Sequence, residues 1–412
     1  MQLTDDEKKI LDGQQGDILR KFMQLLVTIG EAFEAPRMIG VNSVHITSVA
    51  LNTLRKAGKG LIEEIVNSGA LFNAVTTINP LATDCTQWEA LGISKEEFLK
   101  QLEVVEAMRE AGAVLCNTCT PYLVGNVPRF REHVAWGEAS AVIFANSVLG
   151  ARTNPEGGPS GLASALTGKT PLYGLHLDEN RLGQFIVRVT TELKEPTDYG
   201  ALSLFGGMAH KELVPVFTDI SAQTNWDGLK MMSAILHSVS SAKIFHAVGI
   251  TPEAKTEEQA LGRKRPVDVV EFGKKELEKA IQSLDKATKP DVDFVILGCP
   301  HCSINEIKDI VKELNGSKVN SNVSLWVSTS LPVKALADRM GFTEVIEKAG
   351  GKIISETCPV LFTSQTIKNL GFQSLTTNSA EMAFVFPLVH GIKAHFGRLS
   401  RCIDTAISGV WG

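Results

Sequence analysis

An α/β fold built on largely parallel sheets is predicted by three observations. Short apolar runs alternate with amphipathic helical stretches, Gly/Pro turns separate them, and the alternation restarts in the last third of the chain. The first 34 residues read as helices. Thr4 and Glu7 have capping-box spacing, and after the Gly13–Gly16 break Ile18, Leu19, Phe22, Met23, Leu25, Leu26 and Ile29 recur at helical intervals. A strand is expected over Phe72–Thr77, a helix over Lys95–Ala111 and a short strand over Ala113–Leu115. Residues Thr251 to Asp293 are charged and hold Pro252, Pro266 and Pro290, which reads as a connector carrying one solvated helix. Beyond it come strands at Asp293–Leu297, Ser324–Val327 and Lys352–Ser355 with helices between, one of them over Ser303–Leu314. The main domain boundary is placed near residue 286, giving an α/β region over 1–285 and a C-terminal α/β domain over 286–412.

Composition narrows the function. The 412 residues are 44% hydrophobic and 21% charged, enough apolar material for real cores, which excludes a disordered or fibrous chain. A formal charge of −5 offers no basis for a nucleic-acid or anionic-membrane partner. The longest apolar stretch, Ala139 to Ala151, is broken by Ser140, Asn146 and Ser147 and falls short of the roughly 20 residues a spanning helix needs. The opening residues lack the basic-then-apolar order of a secretory peptide, so a cytoplasmic location is expected. There, the seven cysteines (85, 116, 119, 299, 302, 358 and 402) should be thiols or metal ligands rather than disulfides.

The cysteines carry the strongest signal. Cys116 and Cys119 follow Ala113–Leu115, Cys299 follows Asp293–Leu297 and Gly298, and Cys358 follows Lys352–Ser355. Ligands of open α/β sheets bind beyond the carboxyl ends of strands, so thiols there can converge from distant parts of the chain. Three readings compete. Cys116-x-x-Cys119 with Cys299-x-x-Cys302 has the ligand count of a zinc site, although zinc ribbons keep their pairs within a few tens of residues. Cys299-Pro300-His301-Cys302 before a helix resembles a thiol–disulfide redox motif. In the third reading, one cysteine from each strand end holds an iron–sulfur cluster and leaves one iron open as a Lewis acid for a dehydration. Dehydration also needs a base for the neighbouring C–H, which cluster-bound thiolates cannot be.

Several longer segments point the same way. Cys119–Tyr122, Glu138–Ser147, Gly150–Ser160, Tyr173–Arg181, Gly298–His301 and Glu356–Cys358 closely resemble the aconitase X family, and the resemblance spans nearly the whole chain. It implies aconitase-like three-layer α/β/α domains and a cluster, [4Fe-4S] or a smaller form, on Cys119, Cys299 and Cys358, with Cys116 and Cys302 outside the ligand set. It also implies a small-molecule hydroxy acid substrate: mevalonate 5-phosphate in one branch, cis-3-hydroxy-L-proline in the other. At this length the resemblance further implies the large subunit alone, paired in a heterodimer with a small swivelling subunit that carries a serine as the base.

Further residues are candidates for the substrate pocket. Asn79 and Pro80 follow an apolar strand, where Asn79 either meets the substrate or serves the turn. Asn146 and Ser147 interrupt an apolar run and need polar partners, which substrate, cluster sulfurs or packing would supply. The Ser43–Val49 loop resembles a substrate-contacting loop of the family, with Ser48 and Val49 as candidates and His45 as a structural histidine. Gly157-Gly158-Pro159-Ser160 opens a helix, where backbone N–H groups suit a phosphate, and the resemblance ties this segment to the phosphomevalonate branch. One departure stands out: where the family usually reads Thr-Asn-Ser-x-Lys, this chain has Glu381 after Thr377-Asn378-Ser379-Ala380. If that lysine grips an anion, the reversal costs on the order of several kcal/mol.

Overall fold

A computed structural model of the chain describes residues 1–412, with every side chain except that of Arg55. Three parallel sheets and one antiparallel strand pair organise it. The first sheet sets Ser43–Ile46 between Val75–Ile78 and Ala135–Trp136. The second runs His246–Ala247, Pro215–Thr218, Phe185–Val189, Val269–Phe272. The third has five strands in the order Lys352–Ser355, Ser324–Thr329, Phe294–Cys302, Leu375–Thr377, Ala394–Phe396. The antiparallel pair joins Met38–Gly40 to Lys169–Pro171.

The helices that open the chain form as their pattern predicts. Asp5–Leu11 begins with a capping box in which Thr4 Oγ1 accepts from Glu7 N and Thr4 N donates to Glu7 Oε2. Asp17–Ala32 lays Phe22, Met23 and Leu26 into the core of the first sheet, beside Leu162 and Leu166 of helix Gly158–Thr167. In the third sheet, Phe294 and Ile296 face one core while Val295 and Leu297 face another, with Ile307, Ile310 and Ile403 covering that second face. Both faces are covered, which explains why the strand reads as an unbroken apolar run.

Two expectations need correction. The stretch Thr251–Asp293 is more than a connector, because Val269–Phe272 within it is an edge strand paired with Phe185–Val189. Its solvated face leaves Val269 exposed and disguises the strand. Ala113–Leu115 makes only a single bridge, Val114 to Thr77, and so leads the chain to Cys119 without extending the sheet. Among the described residues, no helix is long and apolar enough to cross a membrane.

Candidate active site

The carboxyl ends of the first and third sheets meet, and specific bonds fix how they meet. Leu81 forms a parallel bridge to Thr357; its N–H donates to Glu356 O at 2.8 Å, and Thr357 Oγ1 donates to Leu81 O at 3.1 Å. Asn117 Nδ2 donates to Glu356 Oε1 at 2.6 Å. Asp84 Oδ2 accepts from Ser355 N at 2.8 Å. Asn79, Pro80 and the Cys119 loop are thereby set against the loop of Cys358.

Cys299 reaches the same place through a break in its strand. Leu297 pairs with Val327, but the next paired position is Cys302 with Thr329, so Gly298–His301 bulges out of the ladder. Only glycine fits at 298: its φ is +102°, and a Cβ there would lie 2.1 Å from Ser328 O. The Cys299–Pro300 peptide is cis.

Cys119, Cys299 and Cys358 line one cavity of about 150 Å³, together with Asn79, Pro80, Glu138, Ser140, Glu381 and apolar side chains. All seven cysteines are free thiols. Burial pushes the thiols of Cys119 and Cys299 well above the usual range and that of Cys358 to about 11; Cys358 also opposes ionisation of Cys119 and Cys299, and Cys119 that of Cys299. Hydrogen-bond donors counter this at each sulfur. His301 N donates to Cys119 Sγ at 3.3 Å, the Ser379 hydroxyl faces Cys299, and the Val360 and Leu361 amides face Cys358.

This donor set fits a thiolate-held cluster. Three thiols from three loops, two of them continuing strands of the third sheet, line one largely apolar cavity, each with a donor directed at its sulfur. Among the described residues, no three His, Cys, Asp or Glu side chains stand close enough to hold a single metal ion, which contradicts a four-thiolate zinc site. Cys116 is buried elsewhere, its Sγ 3.9 Å from Ile78 O. Cys302 lines a neighbouring cavity of about 290 Å³ and not the three-thiol cavity. Cys299 lines both.

Two carboxyls border the thiols. Glu138 is engaged, with Oε2 accepting from Ser140 Oγ at 2.7 Å and Ala141 N at 2.6 Å. Glu381 Oε1 accepts from Ser238 Oγ at 2.8 Å, whereas Oε2 is buried without a partner. Burial, with Glu138 nearby, pushes the Glu381 carboxyl up to about 8.

The six expected substrate-binding residues do not all gather here. Asn79 and Pro80 line the cavity. Asn79 Oδ1 has no bonded partner and faces His45, whose Nδ1 pairs with Thr77 Oγ1 at 2.8 Å. Ser48 and Val49 stand further out. Ser48 has φ +61° and lies against Gly158, at the amino end of helix Gly158–Thr167, while Val49 O accepts from Gln101 Nε2 at 3.0 Å. Asn146 is wholly buried and its amide is fully engaged. It donates to Thr153 O and Lys243 O at 3.0 and 3.1 Å, and accepts from Thr153 N and Arg181 Nη1, both at 3.1 Å. Ser147 Oγ accepts from Phe245 N at 2.8 Å. Neither lines the cavity.

Comparison with known proteins places this geometry. The chain matches the models of the Aconitase X first domain over residues 1–179, the second domain over 183–282 and the third domain over 292–408. It is 39% identical to the phosphomevalonate dehydratase large subunit of Methanocaldococcus jannaschii, over 98% of this chain and 99% of that one. The protein of the same description from Thermococcus kodakarensis is 38% identical over 94% of this chain and 95% of its own. The cis-3-hydroxy-L-proline dehydratase of Pseudomonas aeruginosa is 30% identical over 98% of this chain and 69% of its own length. Among solved structures, the holo-form of Thermococcus kodakaraensis aconitase X superposes with a TM-score of 0.88 at 36% identity, over 98% of this chain and 100% of that one.

Proposed function

Because the chain belongs to the aconitase X family, we propose that it is the large subunit of an iron–sulfur hydro-lyase that dehydrates (R)-5-phosphomevalonate to an anhydromevalonate phosphate. Its relatives are dehydratases, which are hydro-lyases, and the chain is an enzyme of that class. The observation that carries the finer reading is the convergence of Cys119, Cys299 and Cys358 on one cavity.

In this reading those three thiolates hold the cluster. When bound, it supplies an open iron as a Lewis acid toward the substrate hydroxyl. Burial of the site excludes water and strengthens every polar contact within it. Asn79 is the side chain of the six expected residues that meets the substrate beside the thiols, while Asn146 and Ser147, off the cavity, brace the helical segment that follows Glu138 and Ser140. The phosphate lies toward Ser48 and the amino end of helix Gly158–Thr167, where free N–H groups favour an anion. Packing ties that end to the cavity residues: Gly137, next to the cavity residue Glu138, lies against Thr47, and Ser48 lies against Gly158. A small partner subunit is implied by the words "large subunit" in the relatives' descriptions, and the base that removes the C–H proton is assigned to it on the family resemblance.

One observation favours the second substrate. Glu381 brings an uncommitted carboxyl oxygen to the cavity; neutral while the cavity is empty, it would give up its proton and pair as a carboxylate if the ring ammonium of cis-3-hydroxy-L-proline entered beside it. The deciding experiment reconstitutes the chain anaerobically with its small subunit and assays both compounds. Dehydration of (R)-5-phosphomevalonate, with at most about a tenth of that rate on the hydroxyproline, is expected. The reverse preference would move the assignment to the second substrate.

A further inference from the structure

His301 lies between Cys299 and Cys302, is 1% exposed, and has all four of its polar groups engaged, each by a residue distant in sequence. Its backbone N–H donates to Cys119 Sγ at 3.3 Å. Its carbonyl accepts from the buried Lys230 Nζ at 3.0 Å. Its Nε2 pairs with Thr357 O at 2.9 Å, one residue before Cys358. Its Nδ1 pairs with Thr118 Oγ1 at 2.9 Å, one residue before Cys119. A carbonyl only accepts, so Nε2 carries the hydrogen and the Thr118 hydroxyl donates to Nδ1. One side chain therefore spans the loops of two of the three site cysteines while its backbone belongs to the loop of the third.

We propose that His301 is a positioning residue that holds the three cysteine loops at the spacing a cluster requires before the cluster arrives. This rests on the reading of Cys119, Cys299 and Cys358 as cluster ligands. The ring is planar and rigid, so its two nitrogens fix both the distance and the relative direction of Thr118 and Thr357. Partners that orient metal ligands in this way typically change metal affinity by about 10–100-fold when removed. Leucine at 301 would leave the Thr357 carbonyl and the Thr118 hydroxyl without these partners and free the loops to drift apart. Glutamine would still offer a donor to Thr357 O.

The test uses the full chain with its small subunit, loaded anaerobically with ferrous iron and sulfide and then exposed to an iron chelator, following visible absorption and released iron. His301→Leu should lose its cluster about tenfold faster than the wild type, and His301→Gln should fall between. Thr118→Val, which keeps the side-chain shape and removes only the hydroxyl, should accelerate loss in the same direction and serves if the leucine variant does not fold. The melting temperature of each chain without cluster separates positioning from bulk stability. Cluster loss at the wild-type rate in folded His301→Leu, or in Thr118→Val where the leucine variant is unfolded, would overturn the proposal. Failure of the wild-type chain to take up any cluster would instead overturn the ligand assignment on which it rests.

Discussion

Glu381 is held at one oxygen by Ser238 and enclosed at the other, so its burial favours the neutral acid. The folded chain keeps this proton up to about pH 8, whereas the unfolded chain releases it near 4.5. Stability contributed by the neutral carboxyl is whole below 4.5 and is lost as pH rises through 8. Urea unfolding of the cluster-free chain at about pH 6 and about pH 8 should therefore show a fall in stability that Glu381→Gln reduces by about 2 kcal/mol. Equal pH dependence in the two proteins would contradict a protonated Glu381. Other residues show the limits of sequence reading at this scale. Asn146 and Ser147 are rightly polar residues in an apolar run, but their partners are backbone groups and Arg181 rather than the cavity. His301 was legible as part of a Cys-x-x-Cys pattern and of the family segment Gly298–His301, but not as a link between loops, because the residues it joins lie 183 and 56 positions away.

The decisive element is the strand Phe294–Cys302, whose first half is an ordinary parallel strand and whose second half leaves the ladder at Gly298. An alanine at 298 would combine a backbone conformation that L-residues rarely adopt with a contact to Ser328 O far inside van der Waals distance. Gly298→Ala should cost about 3 kcal/mol or more in chemical denaturation and displace Cys299 from the cavity. A loss under about 1 kcal/mol would mean that the bulge is not needed to seat the thiol. Much of this level was readable in advance. The apolar runs ending at Leu297 and Ser355 lie in strands, and each leads to its cysteine. The edge strand Val269–Phe272 was hidden because it is only four residues long among charged neighbours and carries an apolar residue, Val269, at an exposed position, which breaks the alternation that marks a half-buried strand.

Across the whole molecule, two parallel sheets present their carboxyl ends to each other, and the three-cysteine cavity lies where they meet. Sequence order says little about this encounter. Leu81 bridging Thr357 and Asn117 bonding Glu356 are contacts that periodicity and spacing cannot register. What sequence did offer was chemistry: three cysteines at strand ends, which parallel-sheet geometry permits to converge.

In the proposed hydro-lyase, Cys119, Cys299 and Cys358 hold one iron–sulfur cluster and Cys302 does not, which visible absorption after anaerobic reconstitution of the chain reads out. Cys299→Ala should lose the sulfur-to-iron charge-transfer band, while Cys302→Ala keeps it near the wild-type intensity. Retention of the band in Cys299→Ala together with its loss in Cys302→Ala would contradict the account.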